Sequence, residues 1–368
     1  MSVKLALSTL CENPGRRTGL TTLFTEFVRG ARRLFPGVSW VVFAGADSPW
    51  EIEDPGVEVC RKFPSNEHPL RRLAADHFRV AGEARRRGAA ALLTVGFHPV
   101  EDEGLPVAMH VFALGEPGRR GGLRSAYRDW AVARGLERAR LVIANSEWTR
   151  AQLGTARGRV IVSPEGLRHD LFNPEGARGA PGVAGRYVLW ASNLYPYKRV
   201  ELALAAYAGL PKETRARLPF VVAGGDWAGG RARAQAAAVR LGIIEDVRFL
   251  GWVSDLLLPE LYRGAQVHVL STAHETFGRS VLESMACGCP SVLQDLPVLR
   301  EVAGECATYV DFAAAPAATA ALAQACSDGE LQARMRAAGV ERSRTFSFER
   351  LARERVGAVL AAIGEGPS

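Results

Sequence analysis

The stretch Val3–Ala44, VKLALSTLCENPGRRTGLTTLFTEFVRGARRLFPGVSWVVFA, decides the fold class. Val3–Leu10 is a short apolar run that ends in a turn rich in Gly and Pro, Asn13–Gly19. Leu20, Leu23, Phe24, Phe27, Val28, Ala31, Leu34 and Phe35 then recur at helical spacing. Pro36-Gly37 stops that helix, and Val38–Ala44 reads as the next strand. Strand, loop, helix and strand in this order mark a parallel, doubly wound sheet, because a parallel neighbour needs a crossover helix.

The pattern repeats along the chain. Strands are expected at Ala89–Val95, after an Arg-rich helix around 71–87, then at Val107–Ala113, Leu141–Ala144 and Val160–Ser163. The segment Asn173–Arg186, full of Gly, Pro and Arg, reads as a linker. Beyond it the alternation restarts with strands at Tyr187–Ala191, Phe220–Ala223, Val247–Leu250, Val267–Leu270 and Ser291–Leu293. Helices are expected around 199–209 and 229–241, and a last apolar-periodic segment at Phe348–Ile363. The expectation is α/β architecture in two similar halves, with a ligand held at the carboxyl ends of the strands.

Length and charge set bounds on the function. A chain of 368 residues suits two domains. Neither a spanning helix nor a secretory leader is legible, and six Cys in a chain this long do not form a disulfide scaffold, so a cytoplasmic setting is expected. The net charge of +7 comes from 46 basic against 39 acidic residues, and only four of the basic ones are Lys. Residues 1–172 hold 25 basic and 19 acidic residues, an excess of six. That half suits an anionic partner, or peripheral contact at the inner face of a membrane; scattered solvated charge is the alternative.

Most of the chemistry lies in Ser271–Pro290, STAHETFGRSVLESMACGCP. A strand feeds it and a helix begins near Gly278, whose first amides have no partner within the helix and suit an anion. Glu275 precedes that helix and Glu283 lies inside it. Carboxylates accept hydrogen bonds from hydroxyls, so the matching ligand carries sugar hydroxyls at both ends and phosphates between. A nucleotide sugar has that form: Glu275 on the sugar, the Gly278–Ser280 amides on the diphosphate, Glu283 on the ribose. Glu beside a helix N-terminus is also favourable on dipole grounds alone.

Glu275-Thr-Phe277-Gly278-Arg279-Ser280-Val-Leu-Glu283 and the following Ser-Met-Ala-Cys-Gly-Cys-Pro290 resemble the E-x7-E signature of glycosyltransferase family 4. Arg248–Gly251 with Trp-Val253-Ser-Asp resembles the family's turn at the nucleobase. Leu194-Tyr-Pro-Tyr-Lys198 resembles its donor loop, Ser146-Glu-Trp-Thr-Arg150 its S-E-x-T-R element, and Pro164–Phe172 its P-N-G-V-D-x-x-x-F element. The resemblance implies the GT-B fold, two Rossmann-like domains facing across a cleft. Residues 1–172 would form the acceptor-binding domain, joined by 348–368 as a helix crossing back, and residues 186–347 the donor-binding domain. It further implies Lys198 on the leaving diphosphate, Glu275 on the sugar, and donor contacts from Gly19, Val253, Phe277, Gly278, Arg279, Ser280 and Glu283. His110, at the end of its strand, would lie beside the donor sugar. Asn193 stands where the family usually carries an Arg, and Arg199 or Arg279 can substitute. Thr18 stands where the family has the first Gly of a Gly-Gly pair.

The implied reaction is retaining transfer of a hexose from a nucleoside-diphosphate sugar to an acceptor hydroxyl on a natural product, lipid carrier or polysaccharide. No Asp-x-Asp is present, and Cys287-Gly-Cys289 reads as small buried packing, so neither metal nor other cofactor is expected. No nucleic-acid partner is expected either. The alternative within the same fold is a nucleotide-sugar epimerase or related enzyme. An NAD-dependent oxidoreductase fits less well, because the first turn lacks G-x-G-x-x-G.

Overall fold

The computed structural model describes residues 3–12, 19–112 and 122–364. The chain divides into two compact units, Met1–Gly166 with Ser347–Ser368, and Leu167–Phe346.

The first unit begins with β1 (Val3–Ser8), α1 (Gly19–Leu34), β2 (Val38–Gly45), β3 (Val57–Phe63), α2 (Pro69–Phe78) and α3 (Val80–Arg86). It continues through β4 (Ala91–Val95), β5 (Val107–Val111), α4 (Leu123–Arg138), β6 (Leu141–Ala144), α5 (Glu147–Gln152) and β7 (Arg159–Val162). Among the described residues these strands form one parallel sheet in the order β3-β2-β1-β4-β5-β6-β7. The order reverses at β1, between β2 and β4. Both faces are covered, so the central strands are apolar throughout: Leu5, Ala6, Leu7, Leu92 and Leu93 are all buried. The periodic residues of α1, Leu23, Phe24, Phe27, Val28 and Ala31, form its buried stripe.

The second unit holds β8 (Val188–Ala191), α6 (Val200–Ala208), α7 (Lys212–Arg217), β9 (Phe220–Ala223), α8 (Gly230–Arg240), β10 (Val247–Gly251) and α9 (Leu258–Gly264). Then follow β11 (Val267–Leu270), α10 (Arg279–Ala286), β12 (Ser291–Gln294), α11 (Pro297–Ala303), β13 (Thr308–Val310), α12 (Ala315–Ser327) and α13 (Gly329–Ser343). Its parallel sheet runs β10-β9-β8-β11-β12-β13 and reverses at β8. Among the described residues, no helix is long and apolar enough to cross a membrane.

The last helix, α14 (Phe348–Gly364), belongs to the first unit and packs on α1. Phe348, Leu351, Ala352, Val356 and Val359 enter the core formed by β1, β2 and α1, while Leu360 and Ile363 are partly buried at its edge. Close approach needs glycine here. A Cβ on Gly30 of α1 would stand 3.2 Å from the Phe348 carbonyl oxygen, and one on Gly166 would stand 2.8 Å from the Phe348 amide nitrogen. Arg355 is fully buried on the same helix and donates to the Ser163 carbonyl at 2.9 Å and hydroxyl at 3.3 Å.

Three sequence expectations are corrected. Asn173–Arg186 is not a free linker, and the first unit ends at 166 rather than 172. Leu167 N–H bonds Phe346 O at 3.0 Å. Arg263 donates to the carbonyls of Leu171 at 2.8 Å and Asn173 at 2.7 Å. The segment after 166 is therefore strapped onto the second unit; its glycines Gly176, Gly179, Gly182 and Gly185 all take positive φ, and a Cβ on Gly264 of α9 would meet the Gly179 nitrogen at 2.5 Å. The Arg-rich helix around 71–87 is two helices, α2 and α3, parted at Arg79. His98 lies in the loop after β4 with Nδ1 2.8 Å from Pro99 O. Of the expected strand Val107–Ala113, Ala113 lies outside the described residues.

Leu351→Ala should destabilise the protein by about 2–4 kcal/mol through a cavity under α14, whereas the same change at half-buried Leu360 should be smaller. Urea unfolding checks this; equal losses at both positions would contradict the packing described.

Candidate functional site

Doubly wound sheets bind ligands beyond the carboxyl ends of the strands, where strand order reverses. In the second unit that place lies between β8 and β11. After β8 the chain forms a short helical turn, Pro196–Lys198, then Arg199 takes a left-handed conformation with φ 50° and opens α6. After β11 an irregular segment leads to Gly278, φ 99°, which starts α10. A residue with a Cβ is strained at that φ, and the Cβ would stand 2.7 Å from Leu299 Cδ2, so glycine is required.

The two loops are bonded together. Ser271 Oγ donates to Arg199 O at 2.7 Å, and Ala273 N–H to Tyr197 O at 2.7 Å. That junction brings Lys198 to Glu275, whose Oε1 accepts from Nζ. Their side chains are only 11% and 13% exposed, so the pair is weakly screened. The first backbone hydrogen bonds of α10 run from Val281 and Leu282 to Gly278 O, which leaves the Arg279 and Ser280 amides ahead of them. One turn in, Arg279 Nε donates to Glu283 Oε1 at 3.2 Å, and Tyr262 of α9 donates to Oε2 at 3.1 Å. Burial drives the Glu283 carboxyl up from 4.5 to about 7, against the opposing pull of Arg279 and Tyr262; the Asp255 charge adds to the rise. Each Glu283 oxygen keeps a second lone pair for a ligand hydroxyl.

The other expected donor residues sit on several elements of the second unit. Val253 follows β10 on the loop that also carries Asp255. Phe277 is buried edge-to-face on Phe346, with centroids 5.9 Å apart. Ser280 is half-buried in the first turn of α10. Asn193 serves the fold instead. Its Oδ1 accepts from Gly225 N–H at 3.0 Å and ties the loop after β8 to that after β9. Of the two arginines able to replace the missing one, Arg279 is paired with Glu283, and the charge of Arg199 acts on Asp311.

In the first unit, Gly19 opens α1, while Pro14–Thr18 lie outside the described residues. His110 departs from its expected place beside a sugar. It is 0% exposed inside β5, set among Phe24, Phe27 and Phe112 with ring centroids 5.5, 6.3 and 5.7 Å away. Burial, then the Arg355 charge, hold its pKa far below 6.5, and neither ring nitrogen has a hydrogen-bond partner among the described residues.

Several further groups carry no motif that the sequence would show. At the reversal point of the first sheet, Ser8 Oγ donates to Asp76 Oδ1 at 2.7 Å and Arg72 to Oδ2 at 3.1 Å. His77 Nε2 lies 2.8 Å from Tyr127 OH beside them. Glu12, after β1, accepts from Trp50 Nε1 at 3.0 Å, and burial raises it to about 7. In the second unit Tyr197, Tyr195 and Trp227 stack in line, 5.5 and 5.1 Å apart, with Lys198 Nζ 5.3 Å from the first ring. Among the described residues, no three His, Cys, Asp or Glu side chains gather as metal ligands.

The fold is the GT-B architecture, two parallel-sheet α/β units. The fold matches sucrose-phosphate synthase from Thermosynechococcus elongatus with TM-score 0.81 at 18% identity, over 99% of this chain and 100% of that one. HepE of Anabaena, solved with UDP and glucose, matches with TM-score 0.74 at 19% identity, over 98% and 100%. Residues 181–342 match the family described as glycosyl transferases group 1. O-antigen chain mannosyltransferase B of Escherichia coli is 27% identical over 237 residues, 61% of this chain and 62% of that protein. The chain spans less than two thirds of the length of the curated relatives it matches first.

Glu283 gives a pH test. Its carboxyl is raised on folding, so its contribution to stability is fully present below pH 4.5 and lost as pH rises through about 7. Glu283→Gln, which does not titrate, should therefore gain on the wild type between pH 5 and 8, by up to about 3 kcal/mol at ~1.4 kcal/mol per pKa unit. Paired urea titrations measure the difference; a gap independent of pH would refute the shift.

Proposed function

We propose that this chain is a retaining glycosyltransferase of the E-x7-E type, moving a hexose from a nucleoside-diphosphate sugar to an acceptor hydroxyl without a metal ion. The observation that carries the reading is the meeting of Lys198 and Glu275 at the β8/β11 reversal, next to the start of α10. The family match over residues 181–342 supports it. In this reading the second unit binds the donor and the first unit the acceptor.

Each group has a chemical role. Lys198 and the Arg279 and Ser280 amides hold the diphosphate, and their positive potential grows more favourable as the leaving group gains charge. Glu275 accepts from sugar hydroxyls and fixes the anomeric carbon. Glu283, steadied by Tyr262, accepts from the ribose, and the Val253 loop meets the base. The acceptor oxygen then attacks from the face that the diphosphate leaves. The C–O bond to the new oxygen forms as the bond to phosphate breaks, and the acceptor proton passes to the departing phosphate oxygen. The relative named as a mannosyltransferase puts mannose beside glucose among the donors to try, and lipid-linked glycan beside small molecules among the acceptors. The basic excess of residues 1–172 suits such an anionic carrier or the surface bearing it.

A panel of UDP- and GDP-hexoses, assayed by product mass and anomeric NMR in excess EDTA, tests the proposal. Transfer with the anomeric configuration kept is expected. Inverted product, activity restored only by Mg²⁺ or Mn²⁺, or conversion of the donor sugar without acceptor would each contradict it. Lys198→Gln should lower kcat roughly a hundredfold or more, as loss of a transition-state donor does. Glu283→Ala should act mainly on the donor KM, about tenfold or more, because its contact persists through the reaction. Purely KM-type losses in both would overturn these roles.

A further inference from the structure

Lys198 and Glu275 each serve a ligand group in the proposed reaction, yet they also hold each other. Both side chains are nearly buried, so neither can lose its partner without gaining another. The two ends of the pair stand on loops that are bonded to each other. The backbone of Lys198 is fixed by its helical turn, and the Ser271 hydroxyl and Ala273 amide bond the carbonyls on either side of it. Glu275 lies on the irregular segment between β11 and α10, and its side chain is held by Lys198. Glu283 contrasts with it: a helix carries it, and Tyr262 and Arg279 each hold one oxygen. An arriving diphosphate therefore displaces Glu275 and leaves Glu283 in place.

We infer that Glu275 competes with the donor phosphate for Lys198, and so selects intact nucleotide sugar over spent nucleoside diphosphate. The inference rests on the function proposed above. An intact donor gives Lys198 a phosphate and gives the released carboxylate sugar hydroxyls, so every desolvated group finds a partner. A nucleoside diphosphate gives Lys198 the same phosphate but offers Glu275 nothing. The carboxylate is then left half-buried beside like charge, which is unfavourable. After transfer, Glu275 returns to Lys198 and helps expel the product. One residue thus holds the sugar before reaction and competes with the diphosphate after it.

Calorimetry with UDP, GDP and their hexose donors, without acceptor, tests this on wild type, Glu275→Gln, Lys198→Gln and the double variant. Glu275→Gln should bind the preferred nucleoside diphosphate about five- to twentyfold more tightly than wild type and its sugar donor no more tightly. The gain should vanish when Lys198 is also Gln, because the competitor then has nothing to compete for. Glu275→Ala should show the same sign and serves if the Gln variant does not fold. Equal or weaker diphosphate binding in Glu275→Gln, or a gain that persists without Lys198, would overturn the inference while leaving the donor site standing. No nucleotide binding to any of the proteins, wild type included, would overturn the donor site and the inference together.

Discussion

The contact between Lys198 and Glu275 organises the second unit. It forms only because β8 and β11 are parallel neighbours that both end at the reversal of strand order. The Ser271 and Ala273 hydrogen bonds set the distance between the loops that follow. The sheet thus fixes a cation and a carboxylate from residues 77 positions apart in sequence. Each neutralises the other, so a strongly polar site is carried at little net charge. A ligand able to satisfy both can replace the pair without leaving a desolvated charge behind.

The same economy appears one turn along α10. Glu283 is buried, and it remains where it is because Tyr262 and Arg279 reach it from different elements. Tyr262 stands on α9, so the carboxylate position depends on how α9 and α10 pack. Glu12 in the first unit shows the same physics, a buried acid raised to about 7 and held by an indole N–H. Buried acids near neutrality are often found where proton balance or hydroxyl recognition matters.

How far these features were legible follows from where their signal lay. The central strands and α1, α10 and α14 were readable because burial on one or both faces forces an apolar run or a 3.6 period. The edge strands β3 and β13 were not. VEVCRKF exposes its charged residues, and Thr308–Val310 is three partly exposed residues, so neither carries an apolar run. The strap after 166 read as a linker because its glycines set backbone turns at positive φ, while the Arg263 bonds that hold it come from far along the chain. In the site, Lys198, Glu275, Gly278 and Glu283 were legible because short motifs hold them at fixed spacing. Asp76 and Tyr262 were not, because their partners are distant in sequence and their own neighbours carry no pattern. His110 was singled out by the resemblance alone, and the aromatic rings around it emerge only in three dimensions.

A structure of the protein with a bound nucleoside diphosphate tests the central claim most directly. A phosphate oxygen is expected about 3 Å from Lys198 Nζ, in contact with the start of α10, with Glu275 drawn away from the lysine. A nucleotide bound with the Lys198–Glu275 contact intact and its phosphates elsewhere would contradict it.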